Sequence, residues 1–253
     1  MKKHSPHIPW IDSDEALPSP NRALGPESGM SGLLAAGGGL AISRLIEAYS
    51  HGIFPWFNQG QPVLWWSPDP RMVLRTENFK LHRSLRKTLQ HFSQSDECKI
   101  RIDSAFEQVI RACAQAPRKG QPGTWIVDDM INAYIDLHHA GFAHSVETWV
   151  GNELVGGLYC VSIGSTLFGE SMFAKRTDAS KIALAALVAF ARSQGLTWID
   201  CQQNTKHLAS LGAKEMPRTD FLQLLEQTPK HTYTEWDFEP TYWQTILASK
   251  VAL

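Results

Sequence analysis

The sequence predicts an α+β fold whose second half builds a mixed sheet, and three stretches carry that expectation. Residues 143–150 and 154–162 read as strands flanking Gly151-Asn152-Glu153, the signature of an antiparallel hairpin. A short apolar strand at 165–168 then runs into Gly169-Glu170-Ser171-Met172-Phe173, a long apolar helix spans 180–193, and a second strand closes on Asp200-Cys201-Gln202. Further short helices and a strand follow, so the second half reads β-β-β-α-β-α-β-α.

Taken in order, residues 1–31 are rich in Pro, Ser and charge, and they read as an arm laid over the surface. Gly32 to Gly39 reads as a flexible turn before a helix over 41–50, in which Leu45, Ile46 and Tyr49 share a face and Gly52 is the stop. The triple glycine is no phosphate loop, because no Lys-Ser/Thr follows it. From Gly52 to Arg71 the run is aromatic and proline-rich, and prolines that fix φ are expected to exclude a regular element. A helix over 81–92 turns Leu85, Leu89 and Phe92 inward and sets Arg83, Arg86 and Lys87 at i, i+3 and i+4 on the other side. A strand at 99–102 precedes a helix opened by the capping box Ser104-x-x-Glu107, with Phe106, Val109, Ile110 and Cys113 buried. The loop 116–122 leads into Gly123-Thr124-Trp125-Ile126, and Asp128 is read as the cap of another helix with Ile131, Tyr134, Ile135 and His138 inward, stopped at Gly141. Beyond Gln202 a helix over 206–211, a strand at 214–216 and a helix over 220–226 precede a tail whose Trp236, Phe238, Tyr242 and Trp243 pack over the body. A hairpin feeding a β-α-β unit is the outline of the acyltransferase fold that includes many N-acetyltransferases.

At 253 residues the chain accommodates one large domain, or a small one joined to a medium one. Hydrophobic residues make up 43%, ample for a core, and nine tryptophans supply aromatic area that can also line a pocket. A formal charge of −1 argues against indiscriminate polyanion binding, yet it permits a local basic patch of Arg83, Arg86 and Lys87 with Lys80, Arg71 and Arg75 nearby in sequence. The same helix face reads equally as a solvated surface. Cys98, Cys113, Cys160 and Cys201 lack C-x-x-C spacing, which fits reduced thiols of a cytoplasmic protein better than a disulfide framework or a zinc site. His138 and His139 face apart on a regular helix, so no metal is expected. Lys2-Lys3 are followed by His4-Ser5-Pro6-His7-Ile8-Pro9 rather than by the apolar run of a signal peptide. No segment approaches the roughly 20 apolar residues of a membrane helix, so no membrane partner is expected.

Along Trp198 to Gln202 a side-chain period of two sends Asp200 and Gln202 to one face. Glu170, read as ending the neighbouring strand, brings a third polar group to the same end of the sheet, where open α/β sheets place their chemistry. The plainer alternative is that Asp200 caps the loop at Asn204 while Gln202 is solvated.

Nine stretches, in order, carry a resemblance. They are Ala48-Tyr49 with Gly52-Ile53-Phe54-Pro55-Trp56-Phe57; Leu64-Trp65-Trp66-Ser67-Pro68-Asp69-Pro70-Arg71; Gly123-Thr124-Trp125-Ile126; Ala143-His144-Ser145-Val146-Glu147; Leu154-Val155-Gly156-Gly157-Leu158-Tyr159; Gly169-Glu170-Ser171-Met172-Phe173; Ala179-Ser180-Lys181; Ile199-Asp200-Cys201-Gln202; and His207-Leu208-Ala209-Ser210-Leu211-Gly212-Ala213. Any one is weak, but the collinear set between residues 32 and 218 resembles the bacterial leucyl/phenylalanyl-tRNA–protein transferases. The resemblance implies a small N-terminal α/β domain over 32–76, behind the 1–31 arm, set on an acetyltransferase-like (GNAT-like) mixed-sheet domain over 77–253. It implies transfer of Leu or Phe, and less so Met, from Leu-tRNA or Phe-tRNA to proteins beginning with Arg or Lys, which creates an N-degron. The aminoacyl-adenosine end would occupy a cleft between the domains of a monomer.

Residue by residue, the resemblance makes Asp200 and Gln202 the catalytic pair and Glu170 a pocket carboxylate. It sets Trp56 and Trp125 around the terminal adenosine, puts Tyr49 in the same cleft, and gives Arg83, Arg86 and Lys87 to the tRNA backbone. Leu158 stands where the family has Met and Leu167 where it can have Phe, while Gln90 and His91 replace positions where more positive charge can occur.

The chemistry is coherent without the name. The donor is an ester already activated on a ribose oxygen, so no acyl-CoA, ATP, metal or other cofactor is needed. A protein α-amino group titrates at about 7.7–8.0, leaving a useful neutral fraction near pH 7. Orientation then supplies much of the rate, with effective molarities of roughly 10⁵ M or more. Gln202 is read as holding the incoming amine, with Asp200 orienting its side-chain NH₂, and Glu170 as binding a cationic group of donor or acceptor. Leu158, Leu167, Phe173 and Phe190 are candidates for the apolar donor pocket, each also readable as core. Trp56 and Trp125 would stack on adenine at about 1–3 kcal/mol per base. Against an acyl-CoA-dependent N-acyltransferase, residues 174–179 before the long helix contain no glycine for a pyrophosphate loop. A serine hydrolase built on Ser171, Asp200 and His207 puts its last two members too close in sequence for separate strand loops. A non-catalytic tRNA-binding module is the remaining class.

Overall fold

The computed structural model describes residues 8–116, 126–229 and 235–248. The chain opens with β1 (Trp10–Ile11), β2 (Leu33–Gly37), α1 (Ile42–Ser50), β3 (Phe54–Pro55) and β4 (Leu64–Trp66), whose strands form one sheet in the order β1-β2-β4-β3. Two expectations fail here. Gly32–Gly39 is no flexible turn, since Leu33 to Gly37 pairs parallel with β1 and antiparallel with β4, and the glycines act at its end, at φ 92° for Gly37 and 78° for Gly38, to turn the chain into α1. Nor do the prolines exclude strands, because Pro55 stands on the edge strand β3, where a missing N–H costs the ladder nothing. The arm before β2 is held down: Arg44 of α1 donates to the carbonyls of Ser13 (3.1 Å) and Glu15, and Glu47 accepts from the Leu17 N–H at 2.9 Å.

The rest of the chain supplies β5 (Arg71–Arg75), α2 (Arg83–Gln94), β6 (Cys98–Ile102), α3 (Phe106–Gln115), α4 (Asp128–His139), β7 (Ala143–Val150), β8 (Glu153–Ile163) and β9 (Thr166–Ala174). It ends with α5 (Ala179–Ser193), β10 (Trp198–Gln202), α6 (Lys206–Ser210), β11 (Lys214–Met216), α7 (Arg218–Gln227) and α8 (Gln244–Leu247). Seven strands run in the order β11-β5-β10-β9-β8-β7-β6, antiparallel except for the parallel pair β9 and β10. The predicted hairpin and β-α-β unit are both present, and the fold is the predicted α+β with a mixed sheet.

Each face of the sheet is covered. On one side Tyr49, Phe106, Ile110 and Tyr134 from α1, α3 and α4 pack with Phe168; on the other, α5 packs with Leu85, Leu89 and the tail. α5 is apolar around its circumference because it is buried, from Ile182 to Ala191 without a break. It lies so close to β8 that a Cβ on Gly156 would stand 2.5 Å from that of Ala179. The expected capping box of α3 does not form. Ser104 Oγ and the Ala105 N–H (2.7 Å) donate instead to Glu147 on β7, while Glu107 pairs with Arg111 at 2.8 Å. Asp128 is the first residue of α4 rather than its cap. The tail docks as expected, with Trp236 stacked on His144 at 3.7 Å. Among the described residues no helix is long and apolar enough to cross a membrane.

Candidate active site

β9 and β10 pair only at Leu167↔Ile199 and Phe168↔Asp200, and beyond that point each strand carries a bulge. On β9 the register steps from Gly169↔Cys160 to Ser171↔Tyr159, so Glu170 is the extra residue, inside the strand rather than at its end as expected. Phe168 and Phe173, five apart, consequently face the same core, which an unbroken period of two forbids. On β10 the register steps from Asp200↔Val73 to Gln202↔Met72, leaving Cys201 extra and Gln202 at φ 60°. A cleft of about 480 Å³ opens here, lined by Glu170 and Met172 of β9, Cys201 and Gln202 of β10, Trp56 from the loop after β3, Leu184 and Leu187 of α5, and His207 of α6.

Glu170 organises the polar wall. Its Oε1 accepts from the Tyr49 hydroxyl and from Gln202 Nε2, both at 2.7 Å, and its Oε2 lies 3.5 Å from the Tyr134 hydroxyl. The Tyr49 and Tyr134 hydroxyls also share a short hydrogen bond. Burial pushes the Glu170 carboxyl up from 4.5 to about 8, against the opposing pull of the Tyr49 hydrogen bond. Both tyrosines are pushed well up by burial and then by the charge of Glu170, so they remain neutral donors.

Asp200 is placed differently from expectation. Its carboxylate accepts from Arg71 Nε at 2.9 Å and Nη2 at 2.6 Å, with neither side chain exposed, and its Oδ1 also accepts the Gln202 backbone N–H at 2.9 Å. The carboxylate that orients the Gln202 side-chain amide is thus Glu170, and Asp200 fixes the backbone instead. Arg71, expected in a surface patch, lies buried between the rings of Phe54 (4.9 Å) and Phe221 (4.5 Å) and donates to the Gly52 carbonyl at 3.0 Å. With Asp200 committed to Arg71, the Ser171–Asp200–His207 order forms no triad.

Of the apolar candidates, Leu158 lines the cleft, whereas Leu167, Phe173 and Phe190 are core. Trp56 tilts against Trp66 at 5.3 Å, and Trp66 Nε1 donates to its carbonyl at 2.6 Å. Trp125 lies outside the described residues. On α2, Arg83 and Lys87 are exposed, while Arg86 donates to the Leu247 carbonyl at 2.6 Å and so ties the helix to the tail. Sequence reasoning missed Tyr134, Met172, Leu184, Leu187 and Ile199. Helical and strand periods place them inward but cannot tell a core from a cleft wall. Among the described residues no three His, Cys, Asp or Glu side chains gather to hold a metal ion.

The family model described as leucyl/phenylalanyl-tRNA protein transferase matches residues 73–226, and that of its N-terminal domain matches residues 38–69. The chain is 62% identical over 243 residues to a leucyl/phenylalanyl-tRNA–protein transferase of Polaromonas sp. (strain JS666 / ATCC BAA-500), covering 96% of this chain and 95% of that relative. It is 57% identical over 247 residues to one of Leptothrix cholodnii, covering 94% and 95%. Matched along both regions and nearly end to end, the chain belongs to the leucyl/phenylalanyl-tRNA protein transferase family.

Proposed function

We propose that the chain transfers Leu or Phe from aminoacyl-tRNA to the α-amino group of proteins beginning with Arg or Lys, in the cytoplasm, as a step that marks those proteins for degradation. The observation that carries this reading is a single cleft combining an aromatic edge, an apolar wall and a carboxylate–amide pair. Adenine would lie against Trp56, and the donor's Leu or Phe side chain against Leu158, Met172, Leu184, Leu187 and Ile199. An apolar wall of this kind rejects charged side chains, whose unpaired burial costs several kcal/mol. Arg83 and Lys87 would meet tRNA phosphates and supply affinity without sequence discrimination.

At the reacting end Gln202 has its Nε2 committed to Glu170, which turns its amide oxygen into the acceptor for an N–H of the incoming amine. Asp200 and Arg71 compensate each other's charge, so the uncompensated carboxyl facing the cleft is Glu170, which attracts the cationic acceptor once it ionises. The test is an assay with radiolabelled Leu-tRNA and two peptides, one beginning with Arg and one with Glu. Label is expected on the Arg peptide alone. Tight tRNA binding without multiple-turnover transfer would make the protein a binder instead.

A further inference from the structure

Two carboxylates flank Gln202, and only one is open to substrate. Asp200 has no exposed surface; Oδ1 takes Arg71 Nε and the Gln202 N–H, Oδ2 takes Arg71 Nη2, and the guanidinium matches its charge. Glu170 lines the cleft. Its Oε1 is occupied by Tyr49 and Gln202 at 2.7 Å each, whereas Oε2 has the Tyr134 hydroxyl only at 3.5 Å, beyond good hydrogen-bond length. One oxygen of Glu170 therefore keeps the capacity to take a proton.

We propose that Glu170 is the proton carrier of the transfer, its Oε2 taking the proton from the attacking nitrogen and returning it to the departing ribose oxygen, while Asp200 is a positioning residue outside the reacting set. The inference rests on the acyl transfer proposed above. The neutral amine attacks the ester carbonyl carbon; the N–C bond forms and the carbonyl π pair moves onto oxygen. Glu170 then accepts one proton from that nitrogen. As the carbonyl re-forms, the ester C–O bond breaks and the ribose oxygen leaves with the proton from Glu170. The products are an amide and a ribose hydroxyl, and Glu170 is again a carboxylate, with nothing else consumed.

The surroundings suit that task. A proton carrier works best when it titrates near the working pH, and burial brings Glu170 to about 8. The groups that face it stay in one charge state around that pH. Tyr49 of α1, Tyr134 of α4, Cys160 of β8 and Cys201 of β10 are all pushed up by burial and remain protonated. His207 of α6 is pulled down by burial and by Lys181, and remains neutral. Asp200 and Arg71 add opposing influences on Glu170, raising and lowering it respectively.

The experiment is single-turnover transfer from Leu-tRNA, bound to the full chain, to a saturating Arg-initiated peptide between about pH 6 and about pH 9, with Leu-tRNA affinity measured in parallel. Both the acceptor amine and Glu170 must lose a proton in the wild type, so the logarithm of its rate should rise with a slope approaching two at the acid end. Glu170→Gln should bind Leu-tRNA normally, transfer at least about 100-fold more slowly and rise with a slope of one. Glu170→Asp should restore the slope of two. A Glu170→Gln rate within threefold of wild type, or a slope of two in that variant, overturns the inference. A wild type that binds Leu-tRNA yet moves no Leu overturns the acyl-transfer reading itself.

Discussion

Arg71 and Asp200 form a two-pronged ion pair, 2.9 and 2.6 Å long, in which neither side chain has exposed surface. It joins β5 to β10, and through the Gly52 carbonyl it reaches the turn after α1. Removing one partner strands the other charge in the interior. Arg71→Ala should therefore cost about 3–5 kcal/mol in urea denaturation near neutral pH, with Arg71→Lys, which keeps the charge and loses the fork, falling between it and the wild type.

Gln202 is a non-glycine residue at φ 60°, held there by the bond from its own N–H to Asp200. Truncation and backbone relief can be separated at this position. Gln202→Ala and Gln202→Gly should both lower transfer at least tenfold, but the Gly variant should be the more stable by about 1 kcal/mol, because glycine adopts the left-handed region without steric cost. Thermal unfolding of the two variants side by side checks this.

The carboxyl of Glu170, raised from 4.5 to about 8, links stability to pH in a definite direction. Its folded-state value lies above its unfolded one, so its contribution is complete below about 4.5 and is lost as pH rises toward 8, at about 1.4 kcal/mol per pH unit. Relative to Glu170→Gln, the wild type should lose roughly 3–4 kcal/mol of stability between pH 5 and pH 8. Parallel urea titrations of the two proteins at both pH values measure the difference.

Among the described residues no cation pairs with the buried Glu147, which accepts from four donors: Ser104 Oγ, the Ala105 N–H at 2.7 Å, Ser145 Oγ at 2.8 Å and Trp149 Nε1 at 2.9 Å. Glu147→Ala would orphan those donors and uncap α3. A loss of about 2–4 kcal/mol is expected in denaturant unfolding, with Glu147→Gln losing less because its amide oxygen still accepts.

The elements most legible in the sequence are those whose signal is local. The hairpin at Gly151 announces itself by its turn residues, and α5 by an apolar run too long for a strand. What escaped was set by distant partners. β2 resembles a glycine-rich turn until β1 and β4 pair with it. The acceptor that caps α3 lies 42 residues from Ala105. Arg71 carries the label of a surface cation, and only the fold reveals a carboxylate 129 residues away for it to meet. The same holds at the cleft. Asp200, Gln202 and Glu170 were recognisable as a group, but the alternation rule pointed Asp200 at the wrong part of Gln202, because a bulge is a property of two strands together and is invisible in one.

That insertion on β9 makes the number of residues, and not only their identity, a determinant of the pocket. Deleting Ser171 would let the strand settle into an uninterrupted pleat beside β8, with Phe168 and Phe173 four apart and still on one face, and would draw Glu170 out of the bulge into register with Tyr159. A substitution leaves that register untouched, whereas an insertion or deletion here moves the carboxyl on which the cleft is built.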